Sequence, residues 1–229
     1  SVQAAIGAVN AVAFDISAAC AGFIFAMNIV EGFFKAGIYK TALIIGAETL
    51  SKVTDWSDRG TCVLFGDGAG AAVLKAEETG IIDMMMGADG TKGDVLACTS
   101  RTVGNFLTGT KPELGFMTMD GQEVFKFAVR KVPESVMELL QRTGTKKEDI
   151  KYYVLHQANE RIIEAAARRL KEPMEKFPMT IGQFGNTSTA SIPLLLNDMI
   201  QKDMLKRGDK IIMSGFGAGM TWGAVLMEW

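Results

Sequence analysis

Three residues in this sequence have side chains whose type and setting suit covalent chemistry: Cys20, His156 and Asn186. Cys20 stands in Asp15-Ile-Ser-Ala-Ala-Cys-Ala-Gly-Phe23, where an apolar run passes into a long apolar helix. A thiol at a helix N-terminus feels the positive end of the macrodipole, which favours the thiolate, the nucleophilic form. The competing reading is a small buried hydrophobe, as most free cysteines are. His156, the single histidine of the chain, directly follows a strand-like run at 152–155. Functional groups of α/β folds gather at the C-terminal ends of strands, although a purely structural histidine fits the same position. Asn186 lies in Gly185-Asn-Thr-Ser188 before a helix, a setting that also suits a plain turn or cap.

The elements that must position these residues follow from hydrophobic patterning. Ser1 to Asn10 reads as apolar helix (Val2, Ala4, Ala5, Ile6, Val9) with no capping lead-in, so the chain is expected to be a fragment of a longer protein. Residues 11–16 read as a buried strand, and 17–36 as a helix apolar on every face, hence central, with Gly37 past its end. Residues 41–46 and 69–74 read as buried strands around a polar stretch at 51–60. Residues 88–121, rich in Gly, Thr and Lys, read as a long loop region. Helix is expected over 122–132, with Pro133 opening the next one. Asn159 caps a helix to Leu170, with Glu160 in its first turn and Arg168 and Arg169 in its last, as the macrodipole favours. Gly208-Asp209 turns the chain into a strand at 211–214. A weak repeat runs through this layout: KTALIIGAE with GDGAGAAVLKAEE is echoed by GDKIIMSGFGAGMTWGAVLMEW. Both units read strand, Gly-x-Gly-Ala-Gly, strand, which predicts a duplicated α/β domain.

Composition excludes several classes. At 229 residues, 48% hydrophobic and 22% charged, the chain can bury a substantial core. A net charge of -2 provides no global field for nucleic acid or an anionic membrane. Cys20, Cys62 and Cys98 show no metal-ligand spacing, and one histidine argues against a zinc site. An odd cysteine count without a disulfide framework fits a reducing cytoplasm. Cys62 and Cys98 read as structural or incidental. The glycine-rich stretches Gly66-Asp-Gly-Ala-Gly70 and Gly215-Phe-Gly-Ala-Gly219 lack the spacing of a dinucleotide or phosphate loop. They read instead as points of close backbone approach around a pocket. Phe106, Phe116 and Phe125 are candidate lining residues.

Taken together, DISAACAGF, HQANERI and GNTSTAS, with DRGTCVLFGDGAGAAVL and FGAGMTWGAVL, resemble the β-ketoacyl-acyl-carrier-protein synthase III family of the thiolase superfamily. The ordered blocks span about Val9 to Trp229. Relatives that use two histidines or a second catalytic cysteine near the C-terminus do not fit, because the chain has one histidine and its cysteines stop at Cys98. The resemblance implies an α/β thiolase-like fold of two duplicated halves, layered α-β-α-β-α. Residues 1–80 would be the remainder of an incomplete first half carrying the nucleophile, and 81–229 the second half carrying His156 and Asn186. It implies a decarboxylative Claisen condensation of an acyl-CoA, acetyl-CoA first among them, with malonyl-acyl carrier protein through an acyl-Cys20 intermediate. His156 and Asn186 would stabilise the enolate, and the backbone N–H groups of Cys20 and Ala218 would form an oxyanion hole. Ala218 stands where relatives often have glycine. Arg59 and Arg161 match positions that contact CoA or the carrier protein, whereas Arg168, Arg169 and Lys171 read as a solvated helix face. No metal and no cofactor beyond the CoA thioester substrates is implied, nor any nucleic-acid or membrane partner. A homodimer in the cytoplasm is expected, built partly through the first half, which an absent N-terminal segment would complete. Two alternatives stand beside this: a Cys-His-Asn enzyme with a polyketide-type starter, and a non-catalytic partner subunit, which would usually have lost the nucleophile.

Overall fold

The computed structural model describes residues 2–98, 104–112 and 115–229. A short helix α1 (Val2–Ala5) and an irregular stretch lead to a 3-10 turn (Ala19–Ala21) and helix α2 (Gly22–Lys35). There follow β1 (Thr41–Glu48), β2 (Gly68–Lys75), β3 (Ile81–Ala88), β4 (Leu96–Cys98), β5 (Met117–Met119) and α3 (Gly121–Thr143). The chain continues through β6 (Ile150–Leu155), α4 (Glu160–Leu170), α5 (Ile181–Phe184), α6 (Ser191–Gln201), β7 (Lys210–Gly217) and β8 (Thr221–Glu228). The two copies of the strand-glycine-strand pattern fold as the antiparallel pairs β1–β2 and β7–β8.

The main sheet has the order β3-β8-β7-β6, with β6 parallel to β7. β6, β7 and β8 are largely apolar because both faces are covered, and side chains alternate between two cores at the strand period of two, whereas β3 at the sheet edge is partly exposed. Tyr153, Leu155, Ile212, Ala224 and Leu226 point to α3 and α4, where they meet Phe127, Leu139, Ile163 and Leu170. Val154, Ile211, Met213 and Val225 point the other way, to Phe23, Ile24 and Met27 of α2 and Ile192, Leu195 and Met199 of α6. The outer sides of α2 and α6 carry the β1–β2 pair. The order is thus helix, sheet, helix, sheet.

Several local expectations need correction. Residues 11–16 form no strand: Val12, Phe14 and Ile16 are exposed, and no described strand pairs with them. An extended run becomes a strand only when another edge takes up its N–H and C=O groups. Apolar helix character ends at Ala5 rather than Asn10. β1 and β2 are half-buried rather than buried, since one face of the pair is open. α2 is buried at Phe23, Ile24 and Met27 but becomes partly exposed toward Lys35. Within 88–121, the described residues contain a 3-10 stretch (Gly90–Val95) and the small β4–β5 pair as well as loop.

Pro133 does not open a helix; it lies inside the continuous helix α3, which Asp120 caps through the N–H groups of Gln122 and Glu123. A proline there leaves the carbonyl four residues back, that of Val129, without its helical partner. Arg169 of α4 supplies one, its Nη1 donating to the Val129 carbonyl at 2.8 Å.

Candidate active site

Cys20 sits in the 3-10 turn just before α2 and is 8% exposed. The turn requires a left-handed backbone at Ala19 (φ 45°). Two threonine hydroxyls hold it: Thr189 Oγ1 donates to the Ala19 carbonyl at 2.7 Å, and Thr221 Oγ1 shares its one proton between the Ala18 carbonyl at 3.3 Å and the Ala218 carbonyl at 3.0 Å. The end of β7 lies against it so closely that a Cβ on Gly217 would sit 2.7 Å from the Cys20 amide nitrogen. This is the close backbone approach expected of Gly215-Phe-Gly-Ala-Gly219.

The expected activated thiolate is not what the resting site holds. Burial pushes the Cys20 thiol up to about 11, and the Glu48 carboxylate adds to the rise; a side-chain hydrogen bond with Ser188 opposes them without offsetting them. The field at the start of α2 favours the thiolate, but the desolvation imposed by the elements packed on the turn, β7 among them, outweighs it. At neutral pH Cys20 is a thiol.

His156 extends the β6–β7 ladder by one step, its N–H donating to the Ser214 carbonyl at 2.8 Å. Its ring meets the Phe216 ring edge-on at 5.5 Å between centroids, and Nδ1 is 2.6 Å from Ser191 Oγ at the start of α6. With the residue 2% exposed, burial drives its pKa down to about 3, so the imidazole is neutral.

Asn186 is buried in a loop whose backbone is tied to 64–66: its N–H donates to the Leu64 carbonyl, and its own carbonyl accepts from Gly66 N–H, both at 2.9 Å. Its side-chain Oδ1 accepts from Ser188 N–H at 2.9 Å. That bond fixes the amide orientation and leaves the Nδ2 hydrogens to donate elsewhere.

The end of β7 is the joint of the site. Ser214 holds the His156 backbone, Phe216 meets its ring, and Gly217 abuts Cys20. Asn186 is linked through Ser188, which bonds to Cys20 and donates from Oγ to Glu48 Oε1 at 3.2 Å. Ser188 holds a left-handed backbone (φ 51°) to do so.

Ala218 follows β7 directly, half-buried, its carbonyl accepting from Thr221 Oγ1 at 3.0 Å. Arg59 and Arg161 are both exposed, the first in a loop and the second in the first turn of α4. Arg168 pairs with Glu164 at 3.6 Å on the α4 surface, whereas Arg169 serves Val129 as described. Phe106, Phe116 and Phe125 are 97%, 46% and 38% exposed and so line no enclosed pocket in the described residues. Among those residues no group of His, Cys, Asp or Glu side chains is placed to hold a metal ion. Among the described residues no helix is long and apolar enough to cross a membrane.

Sequence reasoning missed Glu48, Ser188 and Ser191. Glu48, a carboxylate ending an apolar strand, was the one with a visible signal. The serines are of a common type, and their role depends on distant partners.

Residues 14–90 match the family described as 3-Oxoacyl-[acyl-carrier-protein (ACP)] synthase III, and 140–229 match the C-terminal family of the same description. A beta-ketoacyl-[acyl-carrier-protein] synthase III of Clostridium novyi is 52% identical over 230 residues, which span 100% of this chain and 71% of that protein. One from Clostridium acetobutylicum is 50% identical with the same coverage. The crystal structure of 3-oxoacyl-[acyl-carrier-protein] synthase III from Aquifex aeolicus superposes with a TM-score of 0.90 at 45% identity, over 100% of this chain and 70% of that one.

Proposed function

The chain belongs to the 3-oxoacyl-[acyl-carrier-protein] synthase III family, and from that premise we propose how its residues divide the reaction. It is an acyltransferase with a thiolase-like fold, an initiating condensing enzyme of fatty acid synthesis. Its family joins an acyl-CoA to malonyl-acyl carrier protein, releasing CO2 and forming 3-oxoacyl-acyl carrier protein.

In the first half-reaction Cys20 Sγ attacks the acyl-CoA carbonyl. The C–S bond to CoA breaks, and the thiol proton leaves with CoA as its free thiol. The N–H groups of Cys20 and Ala218 bind the oxyanion formed in the attack. A thiol held near 11 makes the resting enzyme slow to react with adventitious electrophiles. In the second half-reaction the malonyl carboxylate leaves as CO2, and its bonding electron pair passes into an enolate. The enolate carbon attacks the acyl-Cys20 carbonyl and expels the Cys20 sulfur, which takes up a proton.

His156 and Asn186 donate hydrogen bonds to the enolate oxygen. A neutral, buried imidazole suits this task, because it donates without carrying a charge that must be desolvated. Asn186, with Oδ1 held by Ser188, presents Nδ2. The bound groups on CoA and carrier protein are phosphates and acidic side chains, to which the exposed Arg59 and Arg161 offer bidentate pairing. The reading further includes a homodimer, a cytoplasmic site of action, a division between 80 and 81, and no cofactor beyond the thioester substrates. β3, which opens at Ile81, is the first strand of the second sheet and supports that boundary.

The observation that supports the assignment is that the end of β7 meets both Cys20 and His156, while Asn186 is tied to the Cys20 side through Ser188. Intact-protein mass spectrometry after incubation with acetyl-CoA tests it, with Cys20→Ser alongside. An acetyl adduct on the parent and none on the variant is expected. An adduct that persists on Cys20→Ser would remove Cys20 from its role.

A further inference from the structure

We infer that Ser191 is a positioning residue that locks His156 in the tautomer with its proton on Nε2. The inference rests on the reading of His156 as the donor to the enolate oxygen. Only one of the two neutral tautomers can make that bond: the proton must sit on the ring nitrogen facing the substrate. Nothing in the histidine itself selects this tautomer, since its backbone is fixed but its ring protons are not.

The selection comes from the other nitrogen. Ser191 Oγ is 2.6 Å from Nδ1, and both side chains are buried, at 2% exposure each. The hydroxyl has one proton to give and accepts through its lone pairs. It already receives the backbone N–H of Gln157 at 3.4 Å. Among the described residues, Nδ1 is the acceptor that the Ser191 hydroxyl reaches. If Nδ1 carried the proton instead, the hydroxyl would receive two donors and its own proton would be buried without an acceptor, an arrangement that costs the full desolvation of that group. The favoured arrangement therefore runs from Gln157 N–H to Ser191 Oγ, and from Ser191 O–H to Nδ1. Nε2–H is left to point into the site.

The surroundings keep this chain of bonds in register. Gln157 is anchored at both ends of its amide, Nε2 donating to the Leu155 carbonyl at 2.8 Å and Oε1 accepting from Thr180 N–H at 2.9 Å. Ser191 is fixed as the first residue of α6, whose Ile192 and Leu195 are buried in the core. One consequence concerns the chemistry: with Nδ1 occupied and Nε2 protonated, His156 has no free lone pair, so it donates and does not take the proton of Cys20.

The single histidine makes the test direct. With 15N-histidine incorporated, the ring nitrogens of His156 are the only signals of their kind, and long-range proton correlations identify which nitrogen carries hydrogen. The parent is expected to show a protonated Nε2 and an unprotonated, hydrogen-bonded Nδ1. Ser191→Ala is expected to mix the tautomers and lower kcat for malonyl-acyl carrier protein decarboxylation by about tenfold. Transfer of acetyl from acetyl-CoA to Cys20 should be nearly unaffected. Ser191→Thr, which keeps the hydroxyl, should restore both the spectrum and the rate.

Protonated Nδ1 in the parent overturns the inference, and so does a Ser191→Ala spectrum and rate equal to the parent's. Should Ser191→Ala melt far below the parent, the parent spectrum and the Ser191→Thr rate still decide. His156→Ala separates the underlying reading: if decarboxylation survives that change, the role given to His156 fails whatever Ser191 does.

Discussion

Acidification should cost this fold stability through one identifiable group. His156 is buried and keeps its neutral form down to about pH 3, whereas an unfolded histidine takes up its proton near 6.5. Between these values the unfolded chain binds more protons than the folded one, so stability rises with pH across the window and falls as pH is lowered through it. From pH 7 to pH 5, protonation of the unfolded histidine is worth about 2 kcal/mol, and across the whole interval about 5 kcal/mol. Carboxylates also titrate in this range, so the comparison is with His156→Gln, in which only this contribution is missing. Urea unfolding of both proteins at pH 7 and pH 5 should show the parent losing about 2 kcal/mol more than the variant. The ring proton shifts of the single histidine should stay unchanged over the same range. A folded-state titration near pH 6.5, or equal losses in the two proteins, would refute the claim that burial governs His156.

Three further tests address other parts of the argument. Gly217→Ala places a Cβ 2.7 Å from the Cys20 amide nitrogen, so the rate of acetyl-adduct formation should fall by about 10² through misplacement of the nucleophile; a parental rate would show that the turn gives way without consequence. Alkylation of Cys20 by iodoacetamide, followed by peptide mass spectrometry, should accelerate up to a midpoint near pH 11 because burial raises the thiol. Stability should correspondingly decline as pH rises from 9 toward 11, since the unfolded thiol ionises first, and an alkylation plateau near pH 8 would contradict both. Arg169→Ala should cost about 0.5–1 kcal/mol by removing the partner of the Val129 carbonyl opposite Pro133, a bond at the surface where water can take the arginine's place. In Pro133→Ala the helix can satisfy that carbonyl itself, so the arginine change should cost less in that background; additive effects in the double-mutant cycle would break the link.

What patterning could reveal depended on where the information lay. β6, β7 and β8 were legible because both faces are covered, so their apolar runs mean the same thing locally and globally. The cap at Asn159 and the turn at Gly208 rest on a few adjacent residues and were equally readable. Residues 11–16 were not, because an apolar run has the same composition whether or not a strand edge lies beside it. Pro133 failed for a related reason: the rule that places proline at a helix start assumes that nothing rescues the lost bond, and Arg169, 36 positions further along, does.

The site divides along the same line. Cys20, His156 and Asn186 each had a plain structural reading beside the chemical one, and what singled them out was the order of the sequence blocks around them. Their protonation states were not legible, because these are set by what closes over them. The helix-terminus rule applied to Cys20 was outweighed: the field of α2 is local, whereas burial comes from elements far along the chain, among them β7, almost 200 residues later. Glu48 and Ser188 meet across 140 positions, and His156 and Ser191 across 35. The glycines were the one long-range signal within reach. Gly217 has no local reason to lack a side chain, being in a strand, and its reason lies in the Cys20 backbone pressed against it. A glycine inside a strand is therefore a question about what approaches it, and here the answer is the nucleophile.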